Sequence, residues 1–494
     1  MKAQVTGFEA VIGIEVHVEL LTDTKIFCPC STGFGAEPNS QTCPVCLGMP
    51  GVLPVINKKV VDFAIRAALA LGCEISPEIR FERKNYFYPD LPKGYQITSP
   101  GTPLGRNGRV DFTLGSGPDS GPDSDTESGP KQVRISGLHI EEEAAKSIHD
   151  EGDYTLVDFN RCGVPLVEIV SAPDMRTPEE ARAYLQKLKT IIEYAGISDV
   201  KMAEGSLRCD ANVSVMPAGS EEFGTLVELK NLNSFRAVKK GLEYEIERQI
   251  EVIRGGGRVV RETRGWDERL NRTVPQRSKE EAHDYRYFPE PDLLPISVDE
   301  AWIDRVAAEM PEPPDAILRR LVEDDGLPVY DAEVIVSSRD LVRFYDEARG
   351  LYEGDPKFVS NWLMGDLLGF LNAEGKELAE LPLTPEHLVQ MLRLMDTGTI
   401  SSKIAKTVFE EMARSGKSPE EVVEEKGLVQ ISDEDQLLAV VREVIGENPG
   451  PVEQFLGGKE QVLGFLVGQV MKKTRGKANP QMANDLLRMA LNEG

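Results

Sequence analysis

The run Gly13-Ile-Glu-Val-His-Val-Glu-Leu20 constrains this chain more than any other. Apolar and polar residues alternate with a period of two, the pattern of a half-buried β-strand. Successive side chains leave opposite faces of a strand, so Glu15, His17 and Glu19 share one face. Two carboxylates flanking an imidazole make either a wet sheet surface or a place for a hard cation. Leu138-His-Ile-Glu-Glu-Glu143 is a second acid-rich stretch, and Asp158-Phe-Asn-Arg-Cys-Gly-Val-Pro-Leu-Val-Glu-Ile169 reads as a further strand carrying Glu168. We therefore take Glu15, His17, Glu142 and Glu168 as a candidate metal shell. Oxygen ligands with one imidazole suit Mg²⁺ or Mn²⁺ better than zinc. The competing reading is a polar sheet face with scattered ion pairs.

A chain of 494 residues has room for about three domains. No apolar run approaches the roughly 18 residues that span a bilayer, and the first residues lack the apolar core of a signal peptide. A cytoplasmic protein is expected. The formal charge of −26 argues against broad, non-specific nucleic-acid binding but leaves room for local basic patches.

The seven cysteines do not read as a disulfide framework. Cys28-x-Cys30 is followed, after twelve residues, by Cys43-Pro-Val-Cys46-Leu-Gly48. Paired cysteines in a loop that can turn at Pro44 and Gly48 are what a tetrahedral zinc site requires. With four sulfur ligands such a site is closed and structural. Four reduced thiols, one pair redox-active, are the alternative.

Up to about residue 295 the pattern mixes strands, short helices and turns. One helix is well marked: Thr177 as N-cap, Pro178 in the first turn, Glu180 completing a capping box, then Ala181, Tyr184, Leu185, Leu188 and Ile192 at helical spacing before Gly196. Residues 115–130 are a Gly, Ser, Pro and Asp run that cannot bury apolar surface, expected to be a disordered loop joining two strands of a hairpin. From about residue 296 the chain reads as helical, with helix starts at Thr384-Pro, Ser418-Pro and Asn479-Pro. Ser401-Ser-Lys403 lies in this part, where a helix cap explains it better than a hydrolytic centre. We expect domains at 1–295, 296–408 and 409–494.

Two further stretches mix charge with other chemistry. Arg83-Lys-Asn-Tyr-Phe-Tyr-Pro-Asp-Leu-Pro-Lys93 offers cations, Lys84 and Lys93 among them, beside aromatic rings. Gly205-Ser-Leu-Arg-Cys-Asp-Ala-Asn-Val-Ser-Val215 places Arg208, Asp210 and Asn212 on one strand face. A surface turn and a solvated sheet would look the same.

Taken together these residues resemble a known family. Beside the runs already quoted stand Phe34-Gly-Ala-Glu-Pro-Asn39, Asp199-Val-Lys-Met202, Glu228-Leu-Lys-Asn-Leu-Asn-Ser234 and Asp284-Tyr-Arg-Tyr-Phe-Pro-Glu-Pro-Asp292, and later Ser360-Asn-Trp-Leu-Met364, Ser401-Ser-Lys-Ile-Ala-Lys406 and Gly464-Phe-Leu-Val-Gly468. The chain resembles, nearly end to end, the GatB subunits of aspartyl/glutamyl-tRNA amidotransferases. The resemblance implies an α+β fold: a glutamine synthetase-like catalytic domain with an antiparallel sheet, an all-α helical domain and a YqeY-like tail. It implies GatA and GatC as partner subunits and misacylated tRNA as substrate. ATP and Mg²⁺ would phosphorylate the side-chain carboxylate of tRNA-bound glutamate or aspartate, and ammonia from the glutaminase GatA would displace the phosphate. By that likeness His17, Glu142 and Glu168 hold Mg²⁺ with Glu15 nearby; Lys84, Lys93 and Arg208 neutralise phosphate charge; and Asp284 lines the ammonia path. Cys28, Cys30, Cys43 and Cys46 are expected, from their spacing rather than from the likeness, to hold structural Zn²⁺.

The tail must then meet RNA despite the acidic whole. Lys403 and Lys406 at a helix start, and Lys472, Lys473 and Arg475 in a basic cluster, are the candidates, against the plainer reading of solvated helix ends. The alternative functions are a module that only holds tRNA while a partner does the chemistry, and a ligase acting on free amino acids. Convergent acidic strand faces favour catalysis over the first, and the tail disfavours the second.

Overall fold

The computed structural model describes residues 7–114, 129–148, 153–278, 285–428, 434–474 and 478–492. The chain divides into two compact units, residues 1–316 and 317–494.

The first unit is built on one mixed sheet. Along it run, in spatial order, Arg272–Ser278, Glu262–Asp267, Val227–Lys230, Leu207–Pro217, Phe8–Glu19, Pro165–Ser171, Gly129–Glu142, Tyr95–Thr98, Glu82–Asn85 and Phe288–Pro289. The expected antiparallel pairing holds for all of these neighbours except one. Val227–Lys230 and Glu262–Asp267 run parallel, and a parallel pair needs a crossover, here the helix Phe235–Arg254.

Strand alternation sorts the sheet into two faces. Ile14, Val16, Val18, Leu138, Ile140, Val167, Ile169, Ala211 and Val213 are buried in one core with Tyr184, Leu185 and Leu188 of the helix Pro178–Tyr194 and Val238 and Leu242 of the helix Phe235–Arg254. The other face is polar. Register pairs His17 with both Glu168 and Arg208, Glu15 with Asp210, and Thr98 with Glu141. Opposed residues of neighbouring strands point the same way, so polar members of neighbouring strands collect on one surface.

The helix at 178 starts as expected, with the Thr177 side chain accepting from Glu180 N. Its capping box is displaced by one residue: the Glu180 carboxylate takes the N–H of Arg176 rather than of Thr177. The hairpin expected around the glycine-serine run is present, Leu114 facing Gly129, while 115–128 lie outside the described residues.

The second unit is helical throughout its described residues. Ser401 caps the helix Ser402–Ser415 through Ile404 N. That helix runs through position 408 with Val408, Phe409 and Met412 all buried, so a domain boundary at 408 would split a packed element. A separate core of Leu437, Val441, Val444, Leu466, Val470 and Leu487 forms only beyond Gly427.

Leu188 is fully buried at the centre of the first unit's core. Leu188→Ala should lower its stability by about 2–5 kcal/mol, read as a reduced urea midpoint at unchanged slope.

Candidate metal and nucleotide site

Three strands bring His17, Glu141 and Glu168 together, with one ligand atom of each within 4.8 Å of the others. His17 Nε2 stands 3.6 Å from a carboxylate oxygen of Glu141 and 3.6 Å from one of Glu168. Glu141 is buried, and Thr98 Oγ1 donates to it at 2.6 Å. Glu15 lies beside the trio, held by Asn212 Nδ2 at 2.7 Å. Lys84 and Arg208 join His17 and Glu141 in lining a cavity of about 400 Å³ that also includes Tyr86, Gln96, Asp210 and Lys230.

The charges here balance only in part. Burial raises the Glu168 carboxyl to about 7, with further upward pressure from Glu141 and Glu15 against the opposing pull of His17 and Lys84. Glu141 is held low despite its burial, because His17 and Lys84 face it and Thr98 donates to it. Burial works against charge on His17 and Lys84, yet the surrounding carboxylates keep both above their ordinary values. A cluster in which one acid is forced toward neutrality is short of positive charge. The cluster therefore fits a divalent cation, which would supply it.

Two expected site residues lie elsewhere. Glu142 is not in the trio; Glu141 takes its place. On the strand Gly129–Glu142 the core residues are Leu138 and Ile140, so parity sends 139 and 141 to the polar face and 142 to the other. The sequence held that signal in the apolar 138 and 140. Glu142 instead forms an ion pair with Lys93 and accepts from Ile97 N at 2.8 Å. Lys93 is therefore committed to a carboxylate on the opposite side of the strand, in a second cavity of about 210 Å³ with Lys25, Cys28 and Cys46. It is not placed to neutralise phosphate at the first. Asp284 lies outside the described residues.

The four cysteines do converge. Cys28, Cys30, Cys43 and Cys46 each offer a sulfur within 4.8 Å of the rest, and Cys43 Sγ and Cys46 Sγ are 3.9 Å apart. Metal–sulfur bonds of about 2.3 Å in a tetrahedron put sulfurs about 3.8 Å apart. The Cys46 thiol is lowered to about 4, first by the Cys28 thiol and then by the Cys43 backbone and Lys25, against its burial. Gly48, at φ +65°, lets the loop turn where a Cβ would meet Lys93 Cγ at 2.5 Å. These four fit a metal ion.

Of the candidate RNA contacts, Lys406 pairs with Asp366 at 3.0 Å and Lys473 with Glu443 and Glu447 at 2.8 and 2.7 Å. Lys403 and Lys472 are exposed, and Arg475 lies outside the described residues.

Residues 10–304 match the family model described as the GatB/GatE catalytic domain, and residues 343–491 match the GatB domain model. The chain belongs to the GatB family. A protein of Carboxydothermus hydrogenoformans is 58% identical over 97% of this chain and 98% of its own length. One from Caldanaerobacter subterraneus is 57% identical over 98% and 100%, and one from Brevibacillus brevis 57% over 98% and 99%. Each is named as the B component of an aspartyl/glutamyl-tRNA(Asn/Gln) amidotransferase. The family matches cover both the sheet unit and most of the helical one, so the polar sheet face sits inside the portion described as catalytic.

Cation binding at the trio needs Glu168 ionised and His17 neutral, and both hold their protons above their ordinary values, so protons compete with the metal at two ligands. Affinity for Mn²⁺ should fall as pH drops through their titration, more steeply than the roughly tenfold per pH unit of a single proton, and level off once both are deprotonated, as read by paramagnetic titration. For the metal-free fold the sign is opposite. Stability contributed by this carboxyl is intact below 4.5 and is lost as pH rises toward 7. Glu141→Gln should weaken Mn²⁺ binding at least about tenfold, and Glu142→Gln should leave it within about twofold.

Proposed function

We propose that the chain is the component of a tRNA-dependent amidotransferase that activates the side-chain carboxylate of glutamate or aspartate misacylated on tRNA. In the first step a carboxylate oxygen attacks the γ-phosphorus of ATP, and ADP leaves. In the second, ammonia attacks the acyl carbon and phosphate leaves, giving the amide. GatA supplies the ammonia by hydrolysing glutamine, and GatC completes the assembly. The setting assigned to this reaction is the cytoplasm. Among the described residues no helix is long and apolar enough to cross a membrane.

The observation that carries the reading is the convergence of His17, Glu141 and Glu168 at a cavity lined by Lys84 and Arg208. A carboxylate is a poor electrophile, and phosphorylation gives it a leaving group. Charge then spreads over phosphoryl oxygens, and catalysis consists largely of placing cations around them. His17, Glu141 and Glu168 would hold Mg²⁺, whose positive charge would offset that of the phosphate. Lys84 and Arg208 would donate to the same oxygens from the cavity wall. Glu15, fixed by Asn212, would hold position beside the trio. Asp284 is assigned to the ammonia path, and Zn²⁺ to the four cysteines, which would hold it as a staple of the loop.

The helical unit would hold the tRNA. Lys403 and Lys472 are the side chains assigned to phosphate contact, with Lys406, Lys473 and Arg475 in support. Since acidic partners already engage Lys406 and Lys473, the contribution of each pair should differ.

In the assembled complex, Glu141→Gln should reduce ATP cleavage stimulated by misacylated tRNA at least about a hundredfold while leaving tRNA affinity unchanged. Retained cleavage would favour a purely tRNA-holding role. Lys403→Ala with Lys472→Ala should weaken tRNA binding and flatten its salt dependence by roughly two units of slope; Lys406→Ala and Lys473→Ala should do less.

A further inference from the structure

We infer that Lys25 is a positioning residue of the cysteine metal centre, a buried ammonium that offsets the negative charge of the metal–thiolate group through Cys46. This role rests on the metal reading of the four cysteines.

Lys25 is fully buried, with none of its surface exposed. A buried lysine is rare and costly unless something compensates it. Its Nζ lies 3.7 Å from Cys46 Sγ and 3.3 Å from the carbonyl oxygen of Phe159. Neither partner is a carboxylate. A carbonyl offers a dipole only, so the thiol sulfur is the group that can carry the opposing charge.

The cysteine set needs such a partner. Four thiolates around a dication leave a net charge of −2, and Cys28 and Cys46 are buried while Cys30 and Cys43 reach the surface. Water can solvate the outer pair but not the inner one. Cys46 Sγ accordingly receives two donors, Cys43 N at 3.2 Å and Lys25 Nζ. The backbone holds the arrangement as well. Lys25 N donates to Cys30 O at 2.9 Å, so the residue that supplies the charge also closes the loop carrying the first two sulfurs. Lys25 and Lys93 line one cavity with Cys46 and Glu142. The second lysine has its carboxylate there, and the first faces the Cys46 sulfur.

The test uses the full chain, loaded with zinc and in parallel with cobalt(II). Outer-sphere partners of metal ligands commonly change metal affinity 10–100-fold. Lys25→Met, close in length but neutral, should release zinc to a chromogenic chelator about ten times faster than the unaltered chain. Its sulfur-to-cobalt charge-transfer band should move to lower energy, because a thiolate relieved of its donor is easier to oxidise. Lys25→Gln, neutral but still a donor, should fall between the two. A merely space-filling lysine would leave the band unmoved. Equal release rates and an unshifted band in Lys25→Met overturn the role of Lys25. An unaltered chain that binds no zinc overturns the metal reading instead. Should neither variant fold, cadmium-113 loading of the unaltered chain with labelled lysine decides. Coupling of the Lys25 Nζ protons to the metal supports the contact, and its absence at an assigned resonance rejects it.

Discussion

The functional surface of this chain depends on one constraint: the two-residue period of a β-strand, held in register across neighbouring strands. It alone brings His17, Glu141 and Glu168 from three distant stretches of sequence to within 4.8 Å. Had any one strand slipped by a residue, its candidate ligand would have turned to the other face, and on the strands of His17 and Glu168 a valine or isoleucine would have faced the cavity instead. The apolar face prevents this. Ile14, Val16, Val18, Leu138, Ile140, Val167 and Ile169 are all almost completely buried, so a slip would turn large aliphatic side chains toward water. Burial of aliphatic groups on one face thereby fixes the positions of charged groups on the other.

The polar face is electrostatically tense because of what it holds. Burial, together with repulsion from Glu141 and Glu15, makes Glu168 reluctant to ionise, while Glu141 stays charged because His17 and Lys84 face it. Like-charged groups held by a rigid sheet cannot move apart, and a cation would relieve them. The second centre shows the same logic in sulfur. Cys46 is held low by its neighbours, Lys25 is buried against it, and the loop comes close enough to Lys93 that Gly48 has no room for a side chain. The two centres lie on opposite sides of the strand ending at Glu142, with Glu141 serving one and Glu142 facing the other.

Much of this was legible in the sequence, for physical reasons. Alternation in Gly13–Leu20 identified the strand and its polar face directly. The helix at 178 carried its own start signal in Thr177-Pro178, and the cysteine spacing announced the metal loop. Adjacent glutamates were less legible. In Glu141-Glu142-Glu143 composition cannot say which acid faces which side; only phase can, and the phase was set by Leu138 and Ile140. Lys93 was misplaced for the same reason, since its partner is the acid on the far face. Lys25 gave no signal, because a lone lysine before a cysteine becomes informative only when its burial is known. The boundary near 408 failed because Ile404, Val408 and Met412 continue a helix that no local breaker interrupts.

The most direct test of cation binding at the trio is anomalous diffraction from crystals of the chain soaked with Mn²⁺ and a non-hydrolysable ATP analogue. The expected result is a manganese peak bonded to His17, Glu141 and Glu168, with the analogue's phosphates reaching toward Lys84 and Arg208. A peak beside Glu142 and Lys93, or well-ordered phosphates with no metal at the trio, would contradict it.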